Sequence, residues 1–430
     1  MIKRAAEWVV RLEWPILTLI TPLLLFPNAM RSLALLGVPL IWIARKIARG
    51  RFIRRTPLDW AIALMLVMVL VSLYATFDIA YSLPKITGIL LGIAIYYALV
   101  ELEPRQLRWA VVIYLAGGVG LATLAILGAQ RLSKLPLLSG LVTRLPMVFR
   151  GIPGAESGLH PNEVAGALLW FIPLYYALGV SAWCDGSHSW REKSNHWGQA
   201  LLLLAGGLVT TLTLVLTQSR SAMFGLGLAL LLLLTLVSRA GRVTVSLIVI
   251  AGVIALVLIG PGQIIDTFMG GHTTASIVTG ALDASGRMEV WSRALYAIQD
   301  FPFTGTGMNN FRRIMPVLYP AFLISPDYDI GHAHNHLLQV ALDLGLPGLV
   351  AYAAIWLITV TMLFGMWQRR RARITRAMAA GLGAGLVAFF VYGMTDAIAL
   401  GAKPGVIFWA LLALASAFFL SPESSEAQVV

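Results

Sequence analysis

The feature that most constrains this chain is a succession of long apolar runs joined by short polar turns. A hydrocarbon layer about 30 Å thick takes roughly 20 apolar residues as helix, because backbone groups in lipid must find their partners within the segment. Twelve segments meet that need, near 14–30, 32–45, 58–76, 84–101, 107–128, 161–183, 197–217, 221–238, 243–260, 346–366, 376–396 and 403–420. Composition agrees: 58% of side chains are hydrophobic and 12% charged, whereas soluble domains carry about 25% charged residues. The expected fold is an all-α polytopic membrane protein. The first two segments form a hairpin around Pro27 to Arg31, and no Ala-x-Ala cleavage site follows the first, so it reads as a retained helix. The single cysteine, Cys184, offers neither an internal disulfide nor a thiolate cluster.

The net charge of +12 suggests nucleic acid in a soluble chain, but in a membrane chain it is first a topology signal. The basic residues gather at one set of helix ends: Lys3, Arg4 and Arg11; Arg45 to Arg55; Arg105 and Arg108; Arg191 and Lys193; Arg239 and Arg242; and Arg369 to Arg376. That side is expected to be cytoplasmic, with both termini on it. The far side then holds two substantial segments, 129–160 and 261–345, the larger expected to carry short helices lying over the membrane domain.

Unusual polar residues converge on that far side: His160, Arg220, Arg287, His332, His334, His336, Asp396 and Lys403. Arg220, in Thr217-Gln218-Ser219-Arg220-Ser221, is either a snorkelling arginine or a planar donor fork for phosphate oxygens. Arg287 opens a helical stretch and is either an anion ligand or a partner of Asp283 or Glu289. In Gly331-His332-Ala333-His334-Asn335-His336, Asn335 is a plausible helix N-cap. His334 beside the positive helix end is kept neutral and suited to a general base, with His336 as the fallback. A solvated loop histidine and a chelating pair are the alternatives. Asp327 and Asp329 read as a turn, which favours a metal-free site. Asp396 is costly at the end of an apolar span unless paired, with Lys403 its obvious partner, or functional.

His334-Asn335, nine residues, Gly345, two residues and Gly348 together resemble the signature of the O-antigen ligase and polymerase superfamily. Supporting pieces follow in order: His160-Pro161-Asn162, the Thr217 to Ser221 run, Ser285-Gly286-Arg287 with Trp291, and Phe301-Pro302 through Gly305 and Gly307. The resemblance implies a GT-C-like glycosyltransferase working at the periplasmic face of the bacterial inner membrane. Its donor would be an undecaprenyl-pyrophosphate-linked glycan, held by Arg220 and Arg287, and its acceptor a hydroxyl of lipid A core activated by His334. The transfer would be a single inverting displacement with no metal and no cofactor. Lys85, Arg150, His160 and Asp396 lie on the expected side as secondary site positions.

Among relatives, a ligase glycosylates lipid A core, a polymerase extends the glycan and a third type modifies protein. The chain ends soon after its last span, and the basic segment Arg131, Lys134, Arg144 and Arg150 suits an anionic lipid acceptor or ordinary headgroup anchoring, which together favour the ligase. A multi-span transporter is the alternative outside enzymes; it would place ionisable groups near mid-membrane, whereas these gather at one surface. Membrane lipids are the other expected partners, and nucleic acid is not one.

Overall fold

A computed structural model describes residues 1–26, 32–130, 136–149, 151, 156, 158–184, 190–260, 284–325, 329–370 and 372–422. Among them lie sixteen α-helices, one short 3-10 turn and no strand. In chain order the helices are α1 (Ile2–Leu24), α2 (Gly37–Arg49), α3 (Asp59–Ala75), α4 (Ile79–Val100), α5 (Pro104–Gly128), α6 (Pro136–Val142), α7 (Pro161–Leu168) and α8 (Ile172–Trp183). They continue with α9 (Trp190–Leu216), α10 (Arg220–Val237), α11 (Arg239–Ile259), α12 (Ala284–Asp300), α13 (Phe311–Leu318), α14 (His336–Arg369), α15 (Arg373–Gly393) and α16 (Gly405–Leu420).

The chain is a multi-pass membrane protein. Seven of the twelve expected spans are helices long and apolar enough to cross a bilayer: α4, α5, α7 with α8, α9 from His196, α10, α14 and α15. The others differ in kind. Segment 14–30 belongs to α1, which starts at Ile2 and so includes the charged N-terminal residues. Segment 32–45 becomes a 3-10 turn (Leu33–Leu36) and the 13-residue α2, which at 1.5 Å per residue is about 20 Å long, short of a bilayer. Helices α3 and α16 are apolar but have 17 and 16 residues, and the turn expected at Pro27 to Arg31 lies outside the described residues. The expected span 161–183 bends around Leu169 to Phe171, with Pro161 and Pro173 opening its two helices.

The core is aromatic. Trp170 packs on Phe389, and Trp356 lies between Phe389 and Phe408, joining the bend between α7 and α8 to α14, α15 and α16. Leu247, Ile250, Val253, Ile254 and Val257 of α11 are instead exposed, as a lipid-facing helix requires.

Two ends of the bundle differ in their chemistry. At one, arginines meet helix C-termini: Arg54 donates to the carbonyls of Val100 and Leu420, the last residues of α4 and α16, and Arg370 donates to that of Phe419. Those carbonyls have no partner within their own helix, and a cation there complements the helix dipole. Arg49 and Arg51 pair with Glu101, and the buried Arg45 with Glu13.

The opposite end is organised by a break in α14. Gly345 has φ 69°, interrupting the helix, and the segment 302–306 docks into the gap: Thr306 N–H donates to the Leu342 carbonyl and Leu346 N–H to that of Pro302, each at 2.7 Å. These bonds satisfy groups the break leaves without helical partners. A Cβ on Gly345 would run into the Phe303 carbonyl, and one on Gly305 (φ 66°) would lie 2.5 Å from that of Leu342. The glycine spacing noted in the sequence is therefore the imprint of two backbones in contact. Of the two long connecting segments, 129–160 contains α6 and pairs its ends through Ala129 and Leu159, while 284–325 and 329–345 hold α12, α13 and the start of α14.

Candidate active site

The site forms where α14 begins. Asn335 is its N-cap, its side-chain oxygen accepting from the amides of Leu337 and Leu338, while its Nδ2 donates to the Met394 carbonyl at 3.2 Å. The cap thereby straps the histidine loop to the residues after α15. His334, immediately before the cap, has φ 49°. A left-handed histidine is uncommon and persists only where its surroundings impose it, so the strained turn marks a functional candidate.

Asp396 is 3% exposed and sits among the histidines, its Oδ1 lying 3.5 Å from His334 Nδ1 and 3.7 Å from His332 Nε2. Its Oδ2 accepts from Asn162 Nδ2 at 2.7 Å, and Oδ1 from the Ala397 amide at 2.9 Å. Asn162 is itself held by the Tyr392 hydroxyl, which donates to its carbonyl. The expected pairing of Asp396 with Lys403 is not what the structure has: Lys403 lies over the Phe26 ring at 4.3 Å, and the carboxylate faces the opposite way in chemical terms, toward imidazoles.

The hydrogen bonds assign tautomers. His332 Nδ1 accepts from the His334 backbone amide at 3.1 Å, so its proton is on Nε2, toward Asp396. Burial pushes the His332 pKa down to about 3, helped by His334 and opposed by Asp396, and the ring is neutral at physiological pH. Burial alone would raise the Asp396 carboxyl, but the facing imidazoles of His334 and His332, with the Arg287 guanidinium, hold it well below the usual carboxylate range. A proton on His334 Nδ1, facing this carboxylate, leaves Nε2 with a free lone pair. The 3.5 Å separation is long for a hydrogen bond and is of the kind that tightens when the ring takes a second proton.

His336, two residues on, is in a different environment. It is 2% exposed, bonds through Nδ1 to the Tyr352 hydroxyl at 3.0 Å, and is ringed by Trp356, Phe389 and Phe390. That enclosure is a packing role and gives substrate no approach.

Arg287 lies in the first turn of α12, which has no acidic residue there, and its Nε is buried without a hydrogen-bond partner. The expected alternative partner Glu289 is occupied: it pairs with Arg293 and accepts from the amides of Phe322 and Leu323. The other, Asp283, lies outside the described residues. Arg287 nonetheless acts electrostatically on Asp396 and Tyr392, which places it beside the histidines. Arg220 opens α10 in the same manner, after a turn whose Gln218 has φ 56° and is fully buried. Among the described residues neither arginine is in an ion pair.

Of the secondary positions, Lys85 acts on Asp343 and on His332, and His160 also acts on His332. Lys85 and Lys403 line one cleft between α1, α4 and residues 401–406, with Leu24, Leu91 and Val406 on its apolar wall. Arg150 lies outside the described residues, as does Asp327; Asp329 is engaged by Arg312. His332, His334 and Asp396 have the donor composition and closeness of a three-ligand metal site. A metal on His334 Nδ1 would, however, leave the ring's proton on Nε2 and remove the lone pair, so ligand and base are exclusive roles for this side chain.

Residues 200–353 match the family model described as O-antigen ligase. The match runs from α9 past Gly348 and takes in Arg220, Arg287 and His334, in agreement with the resemblance carried by the sequence motif. The family is one of glycosyltransferase-like ligases and polymerases. Asp396, Asn162 and Lys85 lie outside the matched stretch and join the site only through the fold. No curated protein matches the chain.

Sequence reasoning grouped His332 with the others but gave it no role, and it passed over Asn162 as an Asp396 partner. It also missed Gln339, Asp343 and Asn309, which hold the histidine loop from behind. Their signal was present: Gln339 and Asp343 are polar residues four apart in an otherwise apolar helix start.

Proposed function

We propose that the protein is an O-antigen ligase, transferring a glycan from undecaprenyl pyrophosphate to a sugar hydroxyl of lipid A core at the periplasmic face of the inner membrane. The observation that carries this reading is Arg287, at a helix N-terminus with its buried Nε lacking a hydrogen-bond partner, acting on the Asp396 that faces His334. A guanidinium there is unfavourable in the free protein and becomes favourable when an anion arrives.

The donor pyrophosphate is held by Arg287 and Arg220, which present planar forks to its oxygens. The acceptor hydroxyl gives its proton to His334 Nε2 as its oxygen attacks the anomeric carbon. The bond from that carbon to the pyrophosphate oxygen breaks, undecaprenyl pyrophosphate departs, and the configuration inverts. Asp396 fixes the tautomer and stabilises the imidazolium as it forms. The arginines act most strongly as charge builds on the leaving oxygen, which needs no acid and no metal. The cleft with Lys85 and Lys403 offers both an apolar wall and cations to a lipid phosphate.

The test is transfer by purified protein in vesicles containing the lipid-linked glycan and lipid A core. His334→Ala and Arg287→Ala are each expected to lose transfer by about 100-fold or more while remaining folded. Full activity in both overturns the site. Longer glycan on the donor lipid without a lipid A conjugate selects a polymerase instead, and loss of activity to a chelator, restored by a divalent ion, overturns the metal-free mechanism.

A further inference from the structure

The histidine loop is held from behind as well as by Asp396. Asn335, Gln339 and Asp343 are spaced four apart and share one face of the start of α14. Gln339 is buried; its Oε1 accepts from the Ala333 amide, between His332 and His334, at 2.8 Å, and its Nε2 donates to Asp343 Oδ1 at 2.9 Å. The same Asp343 oxygen accepts from the Asn309 amide at 2.9 Å. Asn309 has φ 62°, and its Nδ2 donates to the Tyr81 carbonyl on α4, one turn before Lys85. Beside it Asn310 bonds to Thr76, to Ser82 and to the amide of Asp78, fixing the 307–310 segment to the turn between α3 and α4. Apolar packing would hold the helix start without this continuous line of polar contacts; the line orients one particular amide, that of the residue between the two site histidines.

We infer that Gln339 and Asp343 are positioning residues for the transfer reaction, setting the backbone of the His332–His334 turn so that His334 keeps its left-handed conformation and its alignment with Asp396. The inference rests on His334 being the base. Gln339 is used here as both acceptor and donor, which its amide offers and an ionised carboxylate does not. Replacing it by a carboxylate keeps the acceptor for Ala333 but sets two carboxyl groups against each other. Replacing Asp343 by an amide at the same time removes one of the two carboxyls, and because a single Asp343 oxygen takes both bonds, a turn of the introduced amide brings its nitrogen to the carboxylate at position 339 and its oxygen to the Asn309 amide.

This predicts a rescue by the second substitution. In the wild-type background Gln339→Glu lowers kcat about 10- to 100-fold, the scale of a misaligned reacting group, with the donor KM nearly unchanged. Its pH optimum moves down, because one proton shared by the facing carboxyls relieves the repulsion. In an Asp343→Asn background, which by itself keeps an oxygen for both bonds, the same Gln339→Glu change costs little kcat and the pH optimum stays near wild type. If the single variant fails to fold, the double variant, measured against Asp343→Asn alone, carries the comparison. Wild-type kcat and pH profile in Gln339→Glu, or a double variant as impaired relative to Asp343→Asn as Gln339→Glu is relative to wild type, overturns the positioning role while His334→Ala remains inactive. Full transfer by His334→Ala overturns instead the reading on which the role depends.

Discussion

Arginines at the two ends of this bundle sit at opposite poles of their helices. At the basic end Arg54 and Arg370 donate to the terminal carbonyls of α4 and α16, and Arg45, Arg49 and Arg51 have carboxylate partners. At the site end Arg220 and Arg287 stand in the first turns of α10 and α12, where the dipole repels them and, among the described residues, neither is in an ion pair. The same side chain is structural in one setting and held ready for an anion in the other. Partnership separates the two, and charge count alone does not.

The comparison breaks most sharply at Glu13. Removing this carboxylate leaves Arg45, fully buried, without its counter-charge, and Glu13→Ala is expected to cost about 3–5 kcal/mol of stability. Transfer per folded molecule should be unchanged, so thermal unfolding in detergent moves and kcat does not. Arg287→Ala should do the reverse: no fall in unfolding temperature, because no partner is left unpaired, and a loss of transfer of about 100- to 1000-fold. Arg287→Lys should recover only part of it, since an ammonium cannot present the fork. A large stability loss in Arg287→Ala would show that this arginine is structural after all.

A smaller effect concerns His332. Its folded pKa, about 3, lies below the ordinary 6.5, so the unfolded chain binds the proton first on acidification. Stability from this group is complete above pH 6.5 and is lost progressively as the pH falls toward 3. His332→Gln, which keeps an acceptor and cannot charge, should flatten the decline in unfolding temperature over that window; an unaltered decline would place the acid sensitivity elsewhere. The smallest effect is at Arg51, half exposed and sharing Glu101 with Arg49, where Arg51→Ala should change stability by about 1 kcal/mol or less.

Much of the site was legible before any fold. Asn335 read as a cap because Asn preceding an apolar helix start has one good use for its side chain, and the cap is present. Gly305, Gly345 and their spacing to His334 were visible as a motif, though their cause, the docking of segment 302–306 into a broken helix, was not. Asp396 was flagged as costly, with pairing to Lys403, seven residues on, and a functional role both left open, because the sequence carries no information on which way a turn points. His336 stood as the fallback to His334, since residues two apart can differ in facing and not in composition. Among the described residues, seven of the twelve apolar segments are helices long and apolar enough to cross, for a related reason: apolar runs mark helices that avoid water without saying whether they cross the bilayer or pack short against neighbours.

The amino-acid sequence by itself determined that the chain lives in a membrane, that its cations divide between two sides, and that a His-Asn cap opens a helix near glycines. Those are properties of composition and local spacing, which hydrophobic burial and backbone sterics read directly. Only the tertiary structure decided which histidine faces a carboxylate, which arginine lacks one, and which amides hold the loop in place. Those choices depend on contacts between residues hundreds of positions apart, such as Asn162 with Asp396 and Asn309 with Tyr81, and such contacts exist only once the helices are packed.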